Sequence, residues 1–204
     1  MAIKPILFNT EMVRAILDGR KTCTRRLVRF LPGENPQWTG YIRDGLMLYN
    51  GRNEPCITKA PHRPGDILYV RETWKRAKNG YYYYEDWQRN DIADITKWHP
   101  SIRMPKEAAR IWLNVTDVRV ERLHDITEDG ALREGAQGMR CDHAARGVYG
   151  CTDCMNTGWI EPPQIEFMQI WDSTIKKSDL DRYGWDANPW VWAIEFERCE
   201  KPEE

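Results

Sequence analysis

A chain of 204 residues, 41% hydrophobic and 11% aromatic, is long enough for one substantial core and short for two ordinary domains. Its 30 Lys and Arg stand against 31 Asp and Glu, so the summed field offers no general attraction to phosphate or to an anionic membrane. No stretch approaches the roughly 20 apolar residues of a membrane-spanning helix, and MAIKPILFNTEM lacks the apolar region of a signal peptide, which excludes a membrane partner and makes the cytoplasm the expected location.

In chain order, Ile6 to Phe8 reads as a short apolar strand. Asn9 and Thr10 then cap a helix carrying Met12, Ile16 and Leu17, which Gly19 ends. Residues 30–62 are rich in Pro, Gly and Asn and read as an insertion holding one hairpin, YIRDGLMLY, that turns at Asp44-Gly45. Gly65-Asp66 turns into a core strand, Ile67 to Val70. Residues 76–106 mix tyrosines, tryptophans and charges without period and read as a second insertion.

In ARIWLNVTDVRVERL, Ile111, Leu113 and Val115 share one parity while Val118 and Val120 take the other, so a long strand with a bend is expected. Thr127, Glu128 and Asp129 begin a short helix that runs to Glu134 before Gly135. A cysteine-rich insertion at 138–160 precedes a helix bearing Phe167, Ile170, Trp171, Thr174 and Ile175, with its apolar face expected on the barrel. The alternation in WVWAIEFE marks a final strand. Strands and helices without regular βαβ alternation argue for one α+β domain over 1–204, with a mixed or antiparallel barrel.

Arg14, Arg20, Lys21, Arg25, Arg26 and Arg29, opposed only by Asp18, make the densest basic run. One reading is a solvated loop, where cations favour the carbonyl end of the preceding helix. The other pairs Lys21 with Thr24, since a threonine hydroxyl needs a base to become a nucleophile and a partly buried lysine among cations can supply it. Glu134, an anion at the carbonyl end of a helix, is a candidate third member. Glu72 could take its place.

GRKTCTRR, GDILYVRETW, LHDITEDGALREG and WAIEFE, in that order, resemble the motif series of the ASCH family, whose fold is a PUA-like β-barrel with flanking helices. The resemblance leaves out residues 30–62, 76–106 and 138–160. A bacterial member of that family hydrolyses N4-acetylcytidine with a lysine, a threonine and a glutamate, which carry over to Lys21, Thr24 and Glu134. Thr24 would attack the acyl carbonyl, Lys21 would take its proton and return it to the leaving amine, and Glu134 would hold or charge-balance the lysine. Arg20 and Arg26 are candidate substrate-binding groups and oxyanion donors. Cys23 and Arg25 stand where that enzyme has apolar residues.

The implied function is an amidohydrolase acting on the N4-acyl group of a cytosine nucleoside or nucleotide. The alternative is a non-catalytic module that holds RNA or single-stranded DNA in the same basic cleft. Arg71 and Glu72 could either pair with each other's neighbours or line that cleft, and Trp74 and Trp185 are candidates for stacking on a base, whereas Trp112, Trp171, Trp190 and Trp192 belong to packing.

Cys141, His143, Cys151 and Cys154 give C-x-H-x7-C-x2-C, whose C-x2-C half can close on one tetrahedral ion. Structural Zn2+ is expected there, pinning an insertion too poor in apolar residues to fold unaided. The fourth ligand is open between His143, Cys56, His62, Cys199 and water.

Overall fold

The computed structural model describes residues 1–34, 41–43, 45–86, 97–142, 151–152, 154–155 and 157–203. The chain is α+β and divides into two compact units of interleaved segments. The first takes residues 1–22, 61–118 and 194–204, the second 23–60 and 119–193.

The first unit opens with β1 (Ile3–Leu7). Asn9 then caps α1 (Thr10–Leu17) by accepting the Met12 N–H at 2.8 Å, and Val13, Ala15 and Ile16 are its buried residues. Gly19, at φ 75, reverses the chain so that the Arg20 and Lys21 N–H groups both donate to the Ala15 carbonyl, at 2.9 and 3.0 Å. β5 (Ile67–Arg71) lies parallel to β1, from Ile3 opposite Ile67 to Leu7 opposite Arg71.

The segment without legible period holds a further hairpin, β6 (Trp74–Ala77) with β7 (Gly80–Tyr83). Short 3-10 turns follow at Ser101–Arg103 and Lys106–Ala108. Tyr69, Trp74, Met104, Ala108, Ala109 and Trp112 make this unit's aromatic core.

In the second unit the basic run becomes β2 (Cys23–Leu27). The expected hairpin is present as β3 (Tyr41–Arg43) and β4 (Met47–Tyr49); Asp44 of its turn lies outside the described residues. α2 (Glu128–Arg133) begins at Thr127, whose hydroxyl accepts the Gly130 N–H at 3.0 Å, and ends at Glu134 before Gly135 turns at φ 100. β9 (Met139–Arg140) pairs with β10 (Trp159–Glu161), and α3 (Pro163–Thr174) and α4 (Leu180–Tyr183) follow. Phe167 and Trp171 of α3 pack with Leu123, Ile126, Ala131 and Val191 in the core of this unit.

Two long strands contribute residues to both units, β8 (Trp112–Arg122) and β11 (Trp190–Cys199). In β8 the buried parity changes from Leu113 and Val115 to Val118 and Val120 across exposed Thr116 and Asp117, as the alternation predicts. The main sheet has the order β1-β5-β8-β11-β2. This corrects the expected barrel: closure requires the two edge strands to pair, and β1 and β2 stay at opposite ends of the order. The long inner strands β8 and β11 gave the alternation that a barrel and an open sheet share.

Asp66, at the turn into β5, accepts the Ala2 N–H at 3.0 Å, the Arg63 N–H at 3.1 Å and the Lys4 ammonium at 2.7 Å. Burial works to raise its carboxyl, but Lys4 and the two N–H groups outweigh it and hold the carboxyl below the usual aspartate range. The native state therefore binds this proton less readily than the unfolded chain, and the stabilisation is present above about pH 4 and lost as pH falls through the depressed native value. Asp66→Asn is expected to lower Tm at pH 7 and to converge with wild type in acid, as thermal melts across pH would measure.

Candidate functional site

The residues singled out from sequence fall into both units. In the first, Lys21 is 3% exposed, and its ammonium lies 5.6 Å from the centroid of the Phe8 ring. Arg20 is half-buried and reaches Asp18 at 3.4 Å. Arg71 lies over the Tyr69 ring at 5.4 Å and donates to the Tyr69 hydroxyl at 3.1 Å and to the Ile102 carbonyl at 3.3 Å. Trp74 is a core residue, packed against Tyr81 and His99, so its ring faces are taken by neighbours and are not open to a base.

Glu72 is 2% exposed and receives both arms of Arg110, at 2.9 Å each. The same guanidinium reaches Asp86 at 2.7 Å, stands 3.9 Å from Glu85 and stacks on Tyr83 at 4.1 Å. Burial pushes the Glu72 carboxyl above its ordinary range, with Asp86 and Glu85 adding to the push and Arg110 opposing it. Arg110 pays the same desolvation, yet its carboxylates carry it above the usual arginine value. Arg110, Glu85 and Asp86 escaped the sequence reading, because they lie in or beside the aperiodic segment and nothing local announces a partner 38 residues away.

In the second unit the β2 residues form a charged knot that is almost dry. Thr24 is 1% exposed, and its hydroxyl oxygen accepts a hydrogen bond from Arg26 Nη1 at 2.7 Å. The same nitrogen donates to the Arg25 carbonyl at 3.0 Å. Burial draws the Arg26 guanidinium below its ordinary pKa, and the charge of Glu134 opposes the shift. Arg25, 4% exposed, donates to Glu121 at 2.7 and 2.9 Å and to Glu134 at 3.2 Å. Glu121 is held in turn by Arg119 at 2.9 Å.

This arrangement corrects the picture of a solvated basic loop: Lys21, Thr24 and Arg25 are buried. It also adds Glu121, which the sequence concealed as a polar residue in an alternating strand. Chemically, the knot offers a hydroxyl whose oxygen is pinned by a cation and a carboxylate fixed by another.

Trp185 is half-buried, with its ring 4.5 Å from His124 and 6.1 Å from Phe167, so packing accounts for it.

Cys141, Cys151 and Cys154 bring their sulfurs within 4.8 Å of one another, and this group could hold a metal ion. The Cys141 and Cys151 sulfurs are 3.6 Å apart, beyond a disulfide bond and near the edge of about 3.8 Å for a tetrahedron with metal–sulfur distances near 2.3 Å. The Cys141 N–H donates to the Gly158 carbonyl at 3.0 Å and the Thr157 hydroxyl to the Cys154 carbonyl at 2.6 Å, which shapes the turn around the sulfurs. Trp159 ties this hairpin to α2 through its indole N–H, which donates to Glu128 at 3.1 Å.

His143 lies outside the described residues. Among the described residues Cys56, His62 and Cys199 do not join the group. Burial pushes the Cys56 and Cys199 thiols up, with Glu34 and Glu197 adding to it, and the Cys56 thiol donates to the Leu48 carbonyl at 3.3 Å. Among the described residues no helix is long and apolar enough to cross a membrane.

No protein-family model matches the chain, and no curated protein matches it. A solved structure described as the crystal structure of hypothetical protein PH0355 is similar over 98% of this chain and 100% of that one, at 13% identity and a TM-score of 0.34. So slight a likeness carries no argument.

Removing one member of a buried ion pair strands the other. Arg110→Met should lower the unfolding free energy by about 3 kcal/mol, because Glu72 would stay buried without its guanidinium. Arg110→Met combined with Glu72→Gln should recover much of that loss, as urea denaturation would measure.

Proposed function

We propose that the protein is an ASCH-type amidohydrolase that removes an acyl group from N4 of a cytosine nucleoside or nucleotide, with Thr24 as nucleophile and Lys21 as base. The observation that carries the reading is the Thr24 hydroxyl, a side chain 1% exposed whose oxygen is held at 2.7 Å by the half-buried Arg26. A threonine serving only to pack would not need a charge-assisted hydrogen bond in a dry site. Support also comes from Lys21, three residues earlier and 3% exposed, a burial that commits the side chain to the interior where the reading needs it.

In this mechanism the Thr24 oxygen attacks the acyl carbonyl as Lys21 takes the hydroxyl proton. The carbon–nitrogen bond breaks when Lys21 returns that proton to the departing N4 amine. Water then cleaves the acyl ester and restores Thr24. The transfer requires the Lys21 nitrogen within hydrogen-bond reach of the Thr24 oxygen. Glu134 balances charge in the site, and Arg26 is a candidate donor to the oxyanion.

A strand-binding module would instead want its arginines exposed to phosphates, each contact needing its own cation. Arg25 is committed to Glu121 and Glu134, which weighs against that alternative. The ion at Cys141, Cys151 and Cys154 is proposed to be Zn2+, with His143 as fourth ligand, in a structural role.

Purified protein is expected to release cytidine from N4-acetylcytidine or from a related acylated cytosine. Thr24→Ala and Lys21→Ala should each reduce turnover roughly 1,000-fold or more. Absence of turnover by wild type on any acylated cytosine, together with salt-dependent strand binding that survives Thr24→Ala, would replace this reading with the binding module. Elemental analysis should find zinc, and Cys154→Ser should lose it.

A further inference from the structure

We propose that Arg25 is a positioning residue for Glu134: a buried guanidinium anchored on Glu121 that fixes where the Glu134 carboxylate lies. The inference rests on the reading above, in which Glu134 serves the acyl-transfer site.

The geometry is that of a strut with one firm end. Arg25 places Nε and Nη2 on the same Glu121 oxygen, at 2.9 and 2.7 Å, and Arg119 grips the other Glu121 oxygen at 2.9 Å. Nη1 remains to reach Glu134, at 3.2 Å. The Arg25 side chain is 3% exposed and that of Glu134 6%, so neither moves through water. Phe167 of α3 lies 5.8 Å from the guanidinium carbon. Gly130 of α2 leaves room for it, since a Cβ built there would come within 3.3 Å of Nη2.

The position of Glu134 argues against a purely structural role. Glu134 is the C-cap of α2, where the helix dipole disfavours an anion. A glutamine could accept the same hydrogen bond without the desolvation of a charge. Keeping a carboxylate there costs stability, as groups kept for chemistry commonly do. Because α2 has only six residues, its end is a poor anchor for a side chain with three torsions, and the guanidinium supplies what the helix lacks.

The test uses the full chain and N4-acetylcytidine. Arg25→Met with Glu121→Gln removes the strut while keeping the net charge of the pair, and it strands one carboxylate where Arg25→Met alone strands two, with a thermal melt checking that it folds. It is expected to lose about 100-fold in kcat with KM changed only a few-fold, and the acid limb of its pH–rate profile should move to higher pH. Arg25→Lys, which keeps the charge but not the fork, should recover part of the loss. If wild type turns over and the double variant keeps kcat within about 3-fold with an unmoved pH profile, Arg25 is structural only and the acyl-transfer reading stands. If wild type itself shows no turnover, the acyl-transfer reading falls and this role falls with it.

Discussion

A guanidinium taken out of water must be surrounded by acceptors, and each unit of this protein is organised around one such group. In the first unit Arg110 gathers Glu72, Asp86 and Glu85, joining the end of β5 to the segment after β7. In the second, Arg25 gathers Glu121 of β8 and Glu134 at the end of α2. Glu72 in the first set and Glu134 in the second are buried carboxylates, each beside the guanidinium that offsets its charge. The knots therefore specify which strand meets which turn, a selectivity that apolar contacts alone would leave looser.

The second knot bears on chemistry as well as on architecture. β2 alternates side chains strictly, so Thr24 and Arg26 share one face while Cys23 and Arg25 share the other. Arg26 holds the Thr24 oxygen on its face, and Arg25 reaches the carboxylates on its own. One short strand thus presents a pinned hydroxyl and the guanidinium that clamps two acids, without a loop to blur their positions. α2 contributes Glu134 through its cap, and the hairpin that carries the three cysteines is tied to the start of the same helix through Trp159 and Glu128.

Much of this was legible in the sequence where a local rule applied. The Asn9 and Thr127 caps, the glycines after α1 and α2, the β3–β4 hairpin and the change of parity along β8 each follow from a few adjacent residues. The spacing of Cys141, Cys151 and Cys154 likewise gave the sulfur cluster. What escaped depends on distant partners. Glu121 looked like the outward residue of an alternating strand, and its Arg25 partner is 96 residues away. The β6–β7 hairpin was hidden because Trp74, Tyr81 and Tyr83 pack on an aromatic core while charges and tyrosines alternate with them, which erases the apolar period. An open sheet and a barrel share the same alternation, so strand patterns could not decide closure.

Gly130 carries a consequence for how such a chain changes over time. Its missing side chain leaves space beside Arg25 Nη2, and a methyl there would also press on Ile126 and Thr127 at 3.2 and 3.3 Å. The arginine tip could give by a few tenths of an ångström, but Ile126 and Thr127 belong to the turn that starts the helix, so the alanine that would firm α2 would have to shift the very cap from which it begins.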